Sequence, residues 1–129
     1  MVIVFGSLIG GLIWMLQREA GDVMDSLPDD GSLRVVTTTT MVTDMVRVVG
    51  GERISVQGLM GPKVDPHSYQ LTFNGTAALQ KADLIFYSGH HLEGKMQDTL
   101  EKRAKNKGGV FAVTAGIDEA RLLKPQEEF

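Results

Sequence analysis

Short runs of β-branched and apolar residues alternate with segments of helical periodicity from Leu33 onward, and this alternation constrains the fold most. Four runs predict β-strands, at residues 33–38, 54–59, 84–87 and 110–113. Apolar residues at helical spacing predict helices over residues 41–49, 75–82 and 93–106. Strands that alternate with helices pair in parallel. The sequence therefore predicts an α/β fold, in which a four-stranded parallel sheet is flanked by helices.

The apolar pattern also predicts which side chains enter the core. The third run, residues 84–87, is apolar throughout, which is typical of a strand buried on both faces. Met41, Met45 and Met96 fall at helical spacing on apolar faces, so we expect them in the core rather than on a soft metal. The basic run at residues 102–107 closes a predicted helix, where cations complement the helix dipole.

All three histidines lie in two loops that follow predicted strands. His67 lies in Asp-Pro-His-Ser-Tyr at residues 65–69, and His90 and His91 open the loop at residues 89–96. Carboxyl ends of parallel strands share one edge of a sheet, where open α/β folds bind ligands. Imidazole is the commonest side-chain ligand for zinc, so two of them form half of a four-ligand site. From the residues alone, two alternatives stay open: an Asp-Pro turn that merely carries His67, and a local carbonyl bond for His91.

Composition limits the other possibilities. The chain has 129 residues and a formal net charge of -3, which predicts one domain without a general attraction to nucleic acid. It has no cysteine, which excludes disulfides, thiolate ligands and a lipid-modified cysteine within it. Any metal site must therefore use nitrogen and oxygen ligands.

The N-terminal residues predict export. Residues 2–16 are uncharged and mostly apolar, about the length of a signal-peptide core and below the roughly 20 residues of a membrane span. We expect residues 1–17 to be a signal peptide or an N-terminal membrane anchor; a buried helix is the alternative. Residues 18–32, with their Gly, Asp and Pro, predict a linker, and residues 33–129 the α/β domain.

Three segments in order resemble a known family: residues 65–69, Ala-Asp-Leu-Ile-Phe at 82–86, and His-Leu-Glu-Gly-Lys-Met at 91–96. They closely resemble the zinc- and manganese-binding substrate-binding proteins of bacterial ABC transporters, over about residues 33–124. The resemblance implies that His67 and His91 are metal ligands. We expect Tyr69 and Glu93 to orient these ligands by hydrogen bonds, because metal-binding histidines commonly need such an acceptor; ordinary packing or a surface position is the alternative. His90 precedes the matching histidine, so we expect it to be exposed or to support the ligands.

The same resemblance implies that this chain lacks parts that family members have. Family members have two α/β lobes joined by a long spine helix, with a third histidine and a carboxylate from later sequence, whereas this chain has no histidine after His91. We therefore expect the N-terminal lobe of a truncated, split or frameshifted protein. Such a lobe should expose apolar surface that the spine helix and second lobe would cover, and should associate or be unstable as a result.

The expected function is the extracytoplasmic, or periplasmic, substrate-binding step of a divalent metal ABC uptake transporter. The transported ion would be zinc or manganese, with iron(II) as a further option. The expected partners are a membrane permease and a separately encoded second lobe, and nucleic acid is not expected. Only neutral imidazole coordinates, so metal binding should weaken below about pH 6.5. The competing interpretation is a metal-free α/β interaction module or a non-functional remnant that pairs with a separate second lobe. Catalysis is not expected, because a hydrolytic zinc site needs three protein ligands and a base, and the chain has no phosphate-binding glycine loop.

Overall fold

The computed structural model describes residues 30–123, so the predicted leader and most of the predicted linker lie outside the described residues. Four strands form one parallel sheet: β1 (Leu33–Thr37), β2 (Ile54–Gly58), β3 (Leu84–Tyr87) and β4 (Val110–Ala112). Three α-helices connect them: α1 (Thr40–Gly50), α2 (Phe73–Lys81) and α3 (Gln97–Lys107). Short 3-10 turns occupy Gly51–Arg53, Gly94–Met96 and Glu119–Arg121. The predicted α/β class is confirmed. None of the helices in residues 30–123 has the length and apolarity to cross a membrane.

The strand order β2-β1-β3-β4 determines where each helix lies. The chain moves from β1 to β2 in one direction and then crosses back through β3 to β4 in the other. Since such crossovers are right-handed, α1 lies on one side of the sheet and α2 and α3 lie on the other. The direction changes between β1 and β3, and the carboxyl ends of two such strands flank the crevice where open sheets bind ligands.

The main core lies between the sheet and the α2–α3 pair. Val36 and Ile85, both fully buried, point from the two central strands toward Leu79, Met96 and Leu100. Arg103 of α3 closes one end of this layer. Its guanidinium donates to the carbonyl oxygens of Leu79 (3.2 Å), Ala82 (3.0 Å) and Gly108 (2.7 Å). The basic run thus joins the ends of α2 and α3, which supports its structural interpretation.

Helix α1 begins at a threonine cap and packs closely on β1 and β2. The Thr39 hydroxyl accepts from the backbone N–H of Val42 at 3.4 Å, and the buried hydroxyls of Thr37 and Thr43 share a 2.7 Å hydrogen bond. A side chain at Gly58 would come within 2.8 Å of the Thr43 hydroxyl. Gly58 therefore permits the close approach of α1 to the sheet.

Three predictions about burial and helix limits were wrong in part. Met96 is buried as predicted, but Met41 and Met45 are 64% and 50% exposed. α1 packs on the sheet through Val42, while Met45 borders an open apolar cavity beside the sheet. Only Ile85 of β3 is fully buried, since no described helix covers the α1 side of β3. The third helix starts at Gln97, not Glu93, because Glu93 has a non-helical backbone and binds the preceding loop.

Candidate metal site

His67 lies at the tip of an aspartate-built turn between β2 and α2. Its backbone N–H donates to Asp65 Oδ1 at 3.0 Å, and the Ser68 hydroxyl donates to Asp65 Oδ2 at 2.8 Å. The Ser68 hydroxyl, and next the His67 N–H, lower the pKa of Asp65 below its usual value. The ionised carboxylate holds the turn, so the His67 ring is presented to solvent.

His91 lies in a left-handed loop directly after β3. Gly89, His90 and His91 have φ angles of 96°, 50° and 61°, a conformation that costs a non-glycine residue roughly 1–2 kcal/mol. Both histidines are exposed. Backbone strain of this kind persists only where the surroundings enforce it, and it concentrates at functional loops.

The buried side chain of Glu93 holds this loop in its conformation. Its side chain is fully buried, and Oε1 accepts the Thr38 hydroxyl at 2.6 Å and the Ser88 N–H at 2.6 Å. Oε2 accepts the Gly89 N–H at 3.3 Å. The carboxylate therefore joins the carboxyl end of β1 to the start of the histidine loop, at the point where the strand order changes direction.

Thr114 holds the same loop from the β4 side. Its hydroxyl donates to the Ser88 carbonyl oxygen at 2.6 Å. A Cβ on Gly89 would lie only 2.5 Å from that hydroxyl, so glycine is required there by space as well as by its φ angle. Contacts on two sides thus determine the path of the backbone into His91.

The two histidine loops lie next to each other. A methyl group built on Gly94 would lie 3.6 Å from the His67 carbonyl oxygen, which is ordinary van der Waals contact. The structure therefore brings both loops to the same edge of the sheet. Among residues 30–123, no group of three or more His, Cys, Asp or Glu side chains is arranged to hold a metal ion. The exposed imidazoles of His67 and His91, on neighbouring loops, are the candidate ligands at this edge.

The other predicted residues have different surroundings. Tyr69 is half-buried and packs against the main core, and His90 is exposed beside His91. Glu93 acts on the loop backbone through the hydrogen bonds described above. Sequence reasoning missed Thr38, Ser88 and Thr114 as its companions. The available signal was their position, because each hydroxyl follows the carboxyl end of a strand.

The chain is similar to known metal-binding proteins of ABC transporters. Residues 35–128 match the family described as ZnuA, zinc-uptake complex component A, periplasmic. The chain is 41% identical over 98 residues to the manganese-binding lipoprotein MntA of Bacillus subtilis, covering 76% of this chain and 32% of MntA. It is 33% identical over 101 residues to the iron ABC transporter substrate-binding lipoprotein MtsA of Streptococcus pyogenes, covering 74% and 33%.

A solved structure shows the same fold. The periplasmic zinc-binding protein TroA from Treponema pallidum superposes with a TM-score of 0.69 at 39% identity, over 75% of this chain and 35% of TroA. The chain spans about a third of the length of the curated relatives it matches. Because the family match extends over most of its residues, the chain belongs to the ZnuA family of periplasmic metal-binding substrate-binding proteins.

Proposed function

We propose that this chain captures a divalent transition-metal ion through His67 and His91, as the substrate-binding step of a metal ABC uptake system outside the cytoplasm. The observation that carries the proposal is the proximity of two loops that each present an exposed imidazole, one of them directly after β3 at the strand-order switch. Imidazole nitrogen suits zinc, manganese and iron(II). The relatives described above are named for manganese, zinc and iron, so the cargo is one of these ions.

The mechanism proposed is binding to a prepared surface. A metal ion loses water ligands when it binds, and a loop already held in place adds little further ordering cost. Glu93 and Thr114 hold the backbone that carries His91, and Asp65 holds the turn that carries His67. Both loops are therefore held in place before an ion arrives.

Two imidazoles leave a tetrahedral ion with two further positions to fill. A second lobe, encoded separately or following in a longer protein, would supply them and enclose the ion, and a membrane permease would receive it. The apolar residues 2–16 would serve as leader or anchor for an extracytoplasmic location. Binding by the chain alone should accordingly be weaker than binding by a complete two-lobed relative.

A calorimetric titration with zinc and with manganese tests the proposal. Asparagine tolerates the left-handed conformation, so His91→Asn removes the imidazole with little strain, and His90→Asn is a matched control on the adjacent residue. We expect His67→Asn and His91→Asn each to weaken zinc binding at least about tenfold, since even residues that only support a ligand have that effect. His90→Asn should bind like the wild type.

Equal zinc affinity in the wild type and in a His67→Asn, His91→Asn double variant would refute this assignment. Absence of binding by the wild type would instead support the metal-free interaction module or remnant.

A further inference from the structure

The candidate metal site combines two neutral ligands with one buried charge. Only the neutral imidazole coordinates a metal ion, so His67 and His91 bring no negative charge to a divalent cation. Among residues 30–123, Glu93 is the one charged side chain that is buried. Its carboxylate binds the backbone of the loop that carries His91, so its charge lies close to any ion on that ring.

The hydrogen bonds of Glu93 are those of a carboxylate. Oε1 accepts the Thr38 hydroxyl and the Ser88 N–H, each at 2.6 Å, and Oε2 accepts the Gly89 N–H at 3.3 Å. Backbone N–H groups can only donate, and 2.6 Å is typical of a hydroxyl bonded to an ionised oxygen. The surroundings of Glu93 therefore suit the charged form of this side chain.

No cation in the described part of the chain neutralises this charge. The ion pairs between residues 30–123 do not include Glu93, and Lys95, two positions along, is exposed. The Glu93 side chain has no accessible surface, so neither a later part of the chain nor another molecule can touch its oxygen atoms unless the loop opens. The carboxylate is therefore hydrogen-bonded but keeps its full charge.

The distance between this charge and the site is short enough for a large effect. Glu93 Oε2 lies 3.3 Å from the Gly89 nitrogen, and His91 follows two residues later, so the His91 backbone is within about 12 Å of the carboxylate. Over about 12 Å, the attraction between one negative charge and a divalent ion changes affinity about threefold in water and about a hundredfold at an effective dielectric constant near 20. We expect a value between these limits.

We propose that Glu93 supplies the negative charge that attracts the metal cation to His67 and His91, acting through space from within the His91 loop. This inference rests on the proposed function, since it needs an ion held by the two rings. Asp65, beside His67, is exposed to solvent, so water and salt screen its charge more than that of Glu93. Holding a loop requires hydrogen-bond acceptors, whereas attracting a cation requires the charge itself, so the two roles of Glu93 can be separated.

Calorimetric titration of the full chain with zinc, at low and at high concentrations of sodium nitrate, tests this inference. Glu93→Gln removes the charge and keeps the side-chain volume and one acceptor oxygen. Glu101→Gln removes the same charge from an exposed position on α3. Thr114→Val removes the 2.6 Å hydrogen bond to the Ser88 carbonyl oxygen and leaves every charge in place. Circular dichroism of each variant at both salt concentrations checks that it is folded.

The charge effect should depend on salt. At about 0.01 M salt, where the Debye length is about 30 Å, we expect Glu93→Gln to bind zinc about tenfold more weakly than the wild type, and Glu101→Gln within about twofold of it. At about 1 M salt, where the Debye length is about 3 Å, the loss in Glu93→Gln should fall below about threefold. A loss caused by a displaced loop, as in Thr114→Val, should be the same at both salt concentrations.

Two results would overturn the inference and leave the proposed function intact. One is a zinc affinity of Glu93→Gln equal to that of Glu101→Gln at low salt. The other is a loss in Glu93→Gln that stays constant as salt rises, which would reduce Glu93 to holding the loop. A wild type that binds no zinc would refute both this inference and the proposed function.

Discussion

Replacing Glu93 with glutamine keeps the side-chain volume but removes its charge and one acceptor oxygen. The carboxylate accepts hydrogen bonds from Thr38, Ser88 and Gly89 with no exposure to solvent. If the amide oxygen of glutamine stays at the Oε1 position, the two 2.6 Å bonds become neutral and each loses about 1 kcal/mol. The amide NH2 then faces the Gly89 N–H, so that N–H and the amide donors themselves are left unsatisfied in the interior, at a combined cost of at least about 1 kcal/mol.

These losses sum to about 3 kcal/mol before one correction. Burying a neutral amide costs less than burying a carboxylate, which returns part of the loss. We therefore expect Glu93→Gln to lower the free energy of unfolding by about 2 kcal/mol. Domains of this size are stable by about 5–15 kcal/mol, so the variant should still fold.

Urea unfolding measures this difference directly. With a slope of about 1–2 kcal/mol per molar urea, a loss of 2 kcal/mol lowers the midpoint by about 1–2 M. Glu101→Gln is the control, an exposed α3 glutamate that accepts a 3.0 Å bond from Gln97, and it should change stability by less than about 0.5 kcal/mol. If Glu93→Gln and Glu101→Gln gave the same midpoint, the buried carboxylate would not hold the loop as described.

Three further outcomes are expected. Leu100→Ala should lower the free energy of unfolding by about 2–5 kcal/mol in thermal melts, because Leu100 is 1% exposed in the main core; a loss below about 1 kcal/mol would contradict that packing. His90→Gly should raise the free energy of unfolding by up to about 1 kcal/mol, because glycine relieves the left-handed φ of 50°, and it should leave zinc affinity unchanged. A variant that is destabilised or does not bind zinc would contradict this. Arg34 lowers the pKa of Asp83 from 3.8 to about 2, so the ionised carboxylate stabilises the fold above about pH 4 and this contribution is lost as pH falls toward 2. The difference between the urea midpoints of the wild type and Asp83→Asn should therefore shrink over that range, and a constant difference would argue against the ion pair.

Strand positions could be predicted well because each strand has a local signature. Residues 84–87 form β3 with the predicted limits, since a short apolar run between polar residues has few alternatives. The other three strands end one residue before the prediction, at Thr37, Gly58 and Ala112. At these positions the chain already turns toward the carboxyl-edge loops.

Which side chains are buried depends on elements that lie far away in the sequence. The α1 pattern correctly predicted a helix, but whether Met41 and Met45 are covered depends on which elements lie beside the sheet, and this is a property of topology. Glu93 was expected to begin a helix because its neighbours have helical spacing. Its buried bond to Thr38, 55 residues away, determines its backbone instead.

That separation between Thr38 and Glu93 has a consequence for folding. A hydrogen bond between residues 55 positions apart forms only after a long stretch of chain has been closed, which is a slow and late event in chains with non-local contacts. The left-handed turn at Gly89–His91 is costly by itself, so an isolated peptide of these residues would not keep it. Competence to hold an ion would then arise only when β1 and β3 have paired. If the chain binds metal as proposed, the ion would bind only folded molecules and would stabilise the folded state by mass action. Metal capture would then be restricted to correctly folded molecules.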